Sequence, residues 1–124
     1  MKNLSTIGRV LFAIPFAIFG LNHFLFLNFY IGTISSFIPP GPYTIILTGI
    51  FLIMASLSIL FNKYVKLSTI LLAILLLIFI LTIHIPGLFD PDKWQMALIE
   101  LLKDTSLMGG SLMIAGMTFE NEKE

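Results

Sequence analysis

The feature that most constrains this chain is a series of long apolar stretches, each near the length that a helix needs to cross a bilayer. Residues 4–27 contain Arg9 as their only fixed charge, residues 43–61 contain no ionisable side chain except a tyrosine, and residues 67–85 contain only His84. A bilayer core requires about 20 mostly apolar residues per helix. These three stretches therefore predict membrane-spanning helices.

A fourth stretch, residues 94–117, is less uniform because Glu100, Lys103 and Asp104 lie inside it. Most of its other residues are apolar or small, so we expect it to span the membrane as well. Strands of a lipid-facing barrel alternate in polarity, and these stretches do not, which leaves helices. The predicted fold class is an all-α membrane protein with a bundle of four transmembrane helices.

The composition excludes several other classes of protein. The chain is 57 % hydrophobic and 11 % charged, whereas soluble domains are about 45–50 % apolar and about 25 % charged. A chain of 124 residues has too little interior to bury this much apolar surface, so we expect a single membrane domain over residues 1–124 rather than a soluble monomer. The formal net charge of zero gives no support for a nucleic-acid partner. The absence of cysteine excludes disulfides and thiol chemistry by this chain.

The connections between the stretches predict how the helices follow one another. The short turn at residues 62–66 predicts an antiparallel hairpin of the second and third helices. Residues 28–42 are uncharged and predict a short segment in the outer membrane interface, stopped by Pro39 and Pro40. His84-Ile85-Pro86-Gly87 predicts the end of the third helix. The first stretch is too long for a cleaved signal peptide, so we expect it to remain in the protein.

The lysines indicate orientation, because positive residues near helix ends favour the cytoplasmic side of a membrane. Most of them fall on the side that holds both termini and the turn at residues 62–66. These are Lys2, Lys63, Lys66 and Lys123, against Lys93 on the opposite side. We therefore expect a multi-pass protein of the plasma (inner) membrane with both termini in the cytoplasm.

Polar residues within the predicted spans are the candidate functional residues, because each is costly in lipid unless it is paired or hydrated. Helical spacing places Arg9, Phe16, Gly20 and His23 on one face of the first helix. The same spacing places Glu100, Lys103 and Asp104, followed by Leu107 and Ser111, on one face of the last helix. These two faces predict contact between the first and last helices inside the bundle.

Depth along the helices places most of these polar groups in the outer half of the membrane. At about 1.5 Å per residue, Glu100 lies about 9 Å below Trp94 and Asp104 about 14 Å below it. His23 falls at a depth similar to that of Glu100, which permits a hydrogen bond between them. Arg9 is about 12 Å from Asp104 along the membrane normal, so contact between them requires tilt, and otherwise Arg9 extends towards the cytoplasmic surface.

The candidate ligand-binding or polar cluster therefore has five members, with three residues as additional candidates. The five are His23, His84, Glu100, Lys103 and Asp104, and the additional residues are Arg9, Phe16 and Gly20. No third ligand pattern accompanies the two histidines, so we expect no metal or haem site and interpret the histidines as hydrogen-bonded groups facing the bundle. The glycines at 20, 49, 109 and 110 predict close approach between helices.

Several short motifs, taken in order, resemble the DoxX family of membrane proteins. The likeness extends over nearly the whole chain, from Arg9 to Gly116, and rests on the order and spacing of the motifs. In chain order these are Arg9, Gly20-Leu21-Asn22-His23-Phe24, Pro39-Pro40, Thr48-Gly49-Ile50, His84-Ile85-Pro86, and the charged pair and glycine step of residues 103–112.

The resemblance implies a four-helix membrane protein that works with redox partners. One branch of the family is associated with a thiosulfate:quinone oxidoreductase and another with membrane complexes that handle oxidative stress. A quinone is the ligand that this implies, with a redox enzyme or a second copy of the chain as partner. The implied role is an accessory subunit, so enzyme activity is not assigned to this chain alone.

Two further interpretations of the charged residues remain open. In the first, the charges only specify how the helices pack, and the protein is a non-catalytic membrane scaffold. In the second, they form part of a proton or ion path, which needs polar groups that continue towards the cytoplasm. The sequence offers few such groups between Asp104 and Arg9, which disfavours the path.

Overall fold

Each predicted apolar stretch forms a helix in the computed structural model, which describes residues 2–28 and 42–123, with side chains described for residues 3–28 and 43–117. The long helices are α1 (Lys2–Leu25), α2 (Pro42–Leu60), α3 (Val65–Phe79) and α5 (Trp94–Lys123), with a short α4 (Ile85–Gly87) after α3. These described residues contain no β-strand. The all-helical class is therefore confirmed, while residues 29–41 of the predicted interfacial segment lie outside the described residues.

Within residues 2–28 and 42–123, three helical segments are long and apolar enough to cross a membrane. They are Asn3–Leu25, Tyr43–Leu60 and Val65–Gly87. Most of their length is not covered by other parts of the protein, and only 17 % of the first segment is buried. An apolar helix with this much uncovered surface is suited to contact with lipid, so the protein is a membrane protein.

The third helical segment ends at Gly87, within the stop signal that the sequence predicts, but its last turns are irregular. α3 continues through a π-helical turn, Ile80–His84, into α4, so the segment stays helical to Gly87. In the π turn the backbone N–H of Ile85 donates to the carbonyl oxygen of Ile80, five residues earlier. A proline removes one hydrogen bond and crowds the carbonyl four residues before it. The wider turn just ahead of Pro86 gives the chain room for this ring without stopping the helix.

Helices α1 and α2 are antiparallel and approach most closely at two glycines. A Cβ atom added to Gly20 would lie 2.7 Å from the carbonyl oxygen of Gly49, and one added to Gly49 would lie 2.9 Å from that of Gly20. Further along the interface, the hydroxyl of Ser56 donates to the carbonyl oxygen of Ala13 at 2.7 Å. Close packing and interhelical hydrogen bonds are what hold helices together in a membrane. The same prediction of close approach is wrong for the other two glycines. A Cβ at Gly109 would meet no atom within 4 Å, and one at Gly110 would make an ordinary contact with Phe12.

The hairpin of α2 and α3 has the short turn that the sequence predicted. Asn62 and Tyr64 both have left-handed backbone conformations, with φ of 57° and 55°. The Ser58 hydroxyl donates to the carbonyl oxygen of Lys63, and the Ser68 hydroxyl donates to the Ser58 hydroxyl oxygen at 2.5 Å. These side-chain hydrogen bonds join the end of α2 to the start of α3 across the turn.

Helix α5 packs along α3, and the four long helices share one apolar core. The hydroxyl of Ser111 donates to the carbonyl oxygen of Thr69 at 2.6 Å, with both residues fully buried. The central side chains of the core come from α1, α2 and α3, and α5 contributes partly buried neighbours. The central residues are Ala13, Phe16, Leu52, Ile59, Leu72 and Leu76, and the α5 neighbours are Leu107 and Met108. This packing brings one end of α3 and α4 against the first half of α5.

Candidate functional site

A buried polar contact joins the end of the third helical segment to α5. His84 Nε2 lies 2.6 Å from Asp104 Oδ2, and the two side chains are only 11 % and 9 % exposed. His84 is the last residue of the π-helical turn, and it follows Ile80 and Leu76 on the buried face of the same segment. The imidazole therefore faces α5, where Asp104 lies on the inward side of the helix.

A second ion pair lies on α5 beside this one. Lys103 Nζ is 2.7 Å from Glu100 Oε2, and both side chains are about one third or more exposed. The same ammonium nitrogen lies 5.3 Å from the centre of the Phe19 ring on α1, which is within the range of a cation–π contact. We refer to His84, Glu100, Lys103 and Asp104 as the polar cluster.

The structure brings together four of the five residues predicted for this cluster. The carboxylate oxygens of Glu100 and Asp104 and a ring nitrogen of His84 all lie within 4.8 Å of one another. His23 is not a member of that group. Its Nδ1 lies 2.6 Å from the carbonyl oxygen of Phe19 on its own helix, and its Cβ lies against the α2 surface at Gly49. His23 is thus a buried residue of the α1–α2 interface.

The predicted contact between the last helix and the first helix is made by only part of the charged face. Lys103 reaches Phe19, whereas Glu100 pairs with Lys103 and Asp104 pairs with His84 on the neighbouring segment. The sequence pattern placed these charges on one face correctly. It did not show that the face is shared between two neighbouring helices.

Arg9 has a different partner from the one considered in the sequence. Its Nη1 donates to the carbonyl oxygens of Ile59 and Leu60, at 2.6 and 2.8 Å. The last carbonyls of a helix have no partner within the helix, so this guanidinium caps the C-terminal end of α2. Arg9 therefore joins α1 to α2 and does not pair with Asp104. Of the other additional candidates, Phe16 is a core residue and Gly20 is the close contact with α2.

The buried polar atoms are satisfied by partners within the protein. Among the described residues, no buried side-chain nitrogen or oxygen lacks a hydrogen-bond partner. An unpaired polar group in an apolar interior is costly, so the His84–Asp104 pair stabilises the fold as it stands. An open surface depression is lined by Leu25, Phe26, Leu27 and Asn28 and contains none of the predicted site residues.

The sequence placed His84, Glu100 and Asp104 in one cluster but did not identify them as a set of metal ligands. Glu100 and Asp104 are one helical turn apart, which was visible in the sequence, but the approach of His84 depends on how α3 packs on α5. No third ligand pattern accompanied the two histidines in the sequence, and no metal site was predicted for that reason. The donor set of one imidazole nitrogen and two carboxylate oxygens is one that divalent metal ions use in proteins.

Comparisons of the chain with family models, with curated proteins and with solved structures give no match.

Proposed function

We propose that this protein is a DoxX-like membrane protein with four transmembrane helices, in which the polar cluster binds a small quinone-like ligand. The observation that carries the proposal is the hydrogen-bonded pair of His84 and Asp104, buried among apolar helices beside the pair of Glu100 and Lys103. In this proposal the chain lies in the plasma membrane with both termini in the cytoplasm. It acts as an accessory subunit of a redox complex.

The exposed surface of α5 supports a fourth transmembrane span. Its most exposed large side chains are apolar: Met96, Ile99, Leu102, Leu112, Met113 and Met117. Asp104 is buried, Glu100 and Lys103 neutralise each other, and the Thr105 hydroxyl donates to the carbonyl oxygen of Leu101. A helix whose polar groups are paired in this way meets the main requirement for lying in lipid.

The π-helical turn supports a functional role for His84. Such turns are rare and occur frequently at functional sites, because they shift the side chains that follow them. Here the turn ends at His84 itself, so it sets where the imidazole lies relative to α5. Ionisable groups placed inside a membrane also point to function by default, since they are costly to bury.

The chemistry of the polar cluster suits a quinone. A quinone has two carbonyl oxygens that accept hydrogen bonds, and it takes up two electrons and two protons when it is reduced to a quinol. The ammonium of Lys103 and the imidazole of His84 are hydrogen-bond donors, and the neighbouring carboxylates hold or accept protons. The partner oxidoreductase supplies the electrons, which fits an accessory subunit rather than an enzyme that works alone.

The alternative function is a non-catalytic scaffold, and one observation favours it. The described buried polar side-chain atoms already have partners within the chain, so the charges can be explained by helix packing alone. Buried polar pairs in some proteins serve to specify a single arrangement of elements. The two functions differ in whether the polar cluster opens to a ligand.

Binding of a soluble short-chain quinone to the purified protein in detergent tests the proposal. Trp94, the only tryptophan of the chain, begins α5 about 9 Å from Glu100 along the helix axis. Its fluorescence should be quenched by the quinone in a saturable manner. His84→Gln and Lys103→Met should both weaken this binding.

A matched control comes from the other end of the bundle. Lys63→Met removes an exposed lysine from the α2–α3 turn and should leave quinone binding unchanged. Non-saturable quenching in the native protein, or equal binding by the native protein and the two cluster variants, would reject the quinone site. Mass spectrometry of lipids extracted with the native protein gives an independent measurement of a bound quinone.

A further inference from the structure

We infer that His84, Glu100 and Asp104 form a binding site for a divalent transition-metal ion. Their donor atoms come from two different segments of the fold and already lie within 4.8 Å of one another. This inference concerns residues of the polar cluster but does not rest on the proposed quinone function. If this protein binds a metal ion but no quinone, or a quinone but no metal ion, the metal site and the quinone site are separate conclusions.

The geometry requires only a small adjustment to hold a metal ion. Two donor atoms that each bind a metal at about 2.1 Å lie about 3.0–3.4 Å from one another. His84 Nε2 and Asp104 Oδ2 are now 2.6 Å apart, joined by a hydrogen bond. Replacing the shared proton by a metal ion requires these two atoms to separate by less than about 1 Å, which rotation of the Asp104 carboxylate provides. Glu100, which is less buried than Asp104, supplies the third ligand by a change of rotamer.

The charge of the site also suits a divalent cation. The Glu100 and Asp104 carboxylates lie close together, and Lys103 pairs with Glu100 only. A divalent ion neutralises both carboxylates at once. Lys103 then has to leave Glu100. Its ammonium group also lies 5.3 Å from the centre of the Phe19 ring, a contact that does not depend on Glu100, and its side chain is 40 % exposed to solvent.

The donor types restrict which metal ions fit. One imidazole nitrogen and two carboxylate oxygens suit Zn²⁺, Fe²⁺, Mn²⁺ or Co²⁺, whereas Cu(I) prefers sulfur ligands, and the chain contains no cysteine. Three protein ligands leave at least one coordination position open, which is the arrangement of metal sites that bind a further small ligand. His84 lies one turn from the end of its helical segment, so a metal ion has a short path from the aqueous surface.

Titration with Co²⁺ tests this inference on the full chain in detergent after treatment with a chelator. We expect visible absorption bands that saturate at a single Co²⁺ ion per chain and disappear when Zn²⁺ is added in competition. His84→Gln, Glu100→Gln and Asp104→Asn should each lower the affinity by about tenfold or more. Lys103→Met should raise the affinity, because it removes the cation that competes for Glu100.

His23→Gln is the matched control, since it changes the other histidine of the chain and should leave Co²⁺ binding unchanged. If Asp104→Asn does not fold, the half-exposed Glu100→Gln still gives the comparison. The inference is overturned if the native chain develops no saturable Co²⁺ bands. It is also overturned if His23→Gln loses binding as His84→Gln does, or if the three ligand variants bind as tightly as the native chain.

Discussion

The contact between Gly20 and Gly49 gives the most direct prediction about what holds α1 to α2. In Gly20→Ala the new methyl group would lie 2.7 Å from the carbonyl oxygen of Gly49, whereas ordinary contacts begin near 3.4 Å. The neighbouring Ile53 side chain can rotate away from this methyl group, but the Gly49 carbonyl belongs to the backbone of α2. The two helices therefore have to separate by about 0.7 Å at this point, and strain of this kind costs about 1–3 kcal/mol.

Gly109→Ala is the matched control, because it makes the same chemical change in a helix where the added methyl group meets nothing within 4 Å. Any gain from replacing glycine by a better helix former is common to both variants. We expect Gly109→Ala to be as stable as the native protein or slightly more stable. The difference between the two variants measures the cost of forcing α1 and α2 apart.

The double variant Gly20→Ala/Gly49→Ala tests the reasoning further. The two glycines contact each other's carbonyl oxygens, so one separation of the helices relieves both clashes. The loss of stability in the double variant should therefore be smaller than the sum of the single losses, by about 0.5 kcal/mol or more. Thermal unfolding in detergent, followed by circular dichroism and Trp94 fluorescence, measures these differences. Equal stability of Gly20→Ala and Gly109→Ala would refute the argument.

Three further predictions follow from the polar contacts and the topology. Arg9→Met removes the hydrogen bonds from a charged group to the Ile59 and Leu60 carbonyls and should lower the free energy of unfolding by about 1.5–3 kcal/mol. Lys63→Met is the control and should lower it little. Equal unfolding temperatures for these two variants would contradict the capping role. Asp104→Ala leaves the His84 ring without its partner and should lower the free energy of unfolding by about 1–3 kcal/mol. A loss of stability no larger than that in Asp92→Ala, which changes an exposed carboxylate, would argue against a stabilising pair. The native chain contains no cysteine, so single cysteines can be introduced as labels in Asn62→Cys and Asp90→Cys. They should react with a membrane-impermeant maleimide from opposite sides of the membrane. Labelling from the same side would reject the proposed four-span topology.

The proline at position 86 shows which part of a helix end a local sequence rule predicts. His84-Ile85-Pro86-Gly87 has the composition of a helix end, and the segment does end at Gly87, but the π-helical turn before the proline was not predicted. A proline excludes one backbone hydrogen bond, but it does not determine whether the chain stops or adjusts. Packing of His84 against Asp104 on α5 favours the continued helix, and this contact joins residues twenty positions apart.

The sequence by itself determined the helical class, the position of the long apolar helices and the face of α5 that carries its charges. These properties depend on the length of apolar runs and on the helical period, both of which are local. The partners of the charged residues were decided by tertiary structure. Arg9 caps α2, His23 packs at the α1–α2 interface, and His84 lies beside Glu100 and Asp104. These partners depend on which helices lie side by side, and that arrangement depends on close packing at particular residues such as Gly20 and Gly49. A helix's own sequence fixes which groups it presents, whereas the neighbour that meets them is fixed only when all the helices have packed.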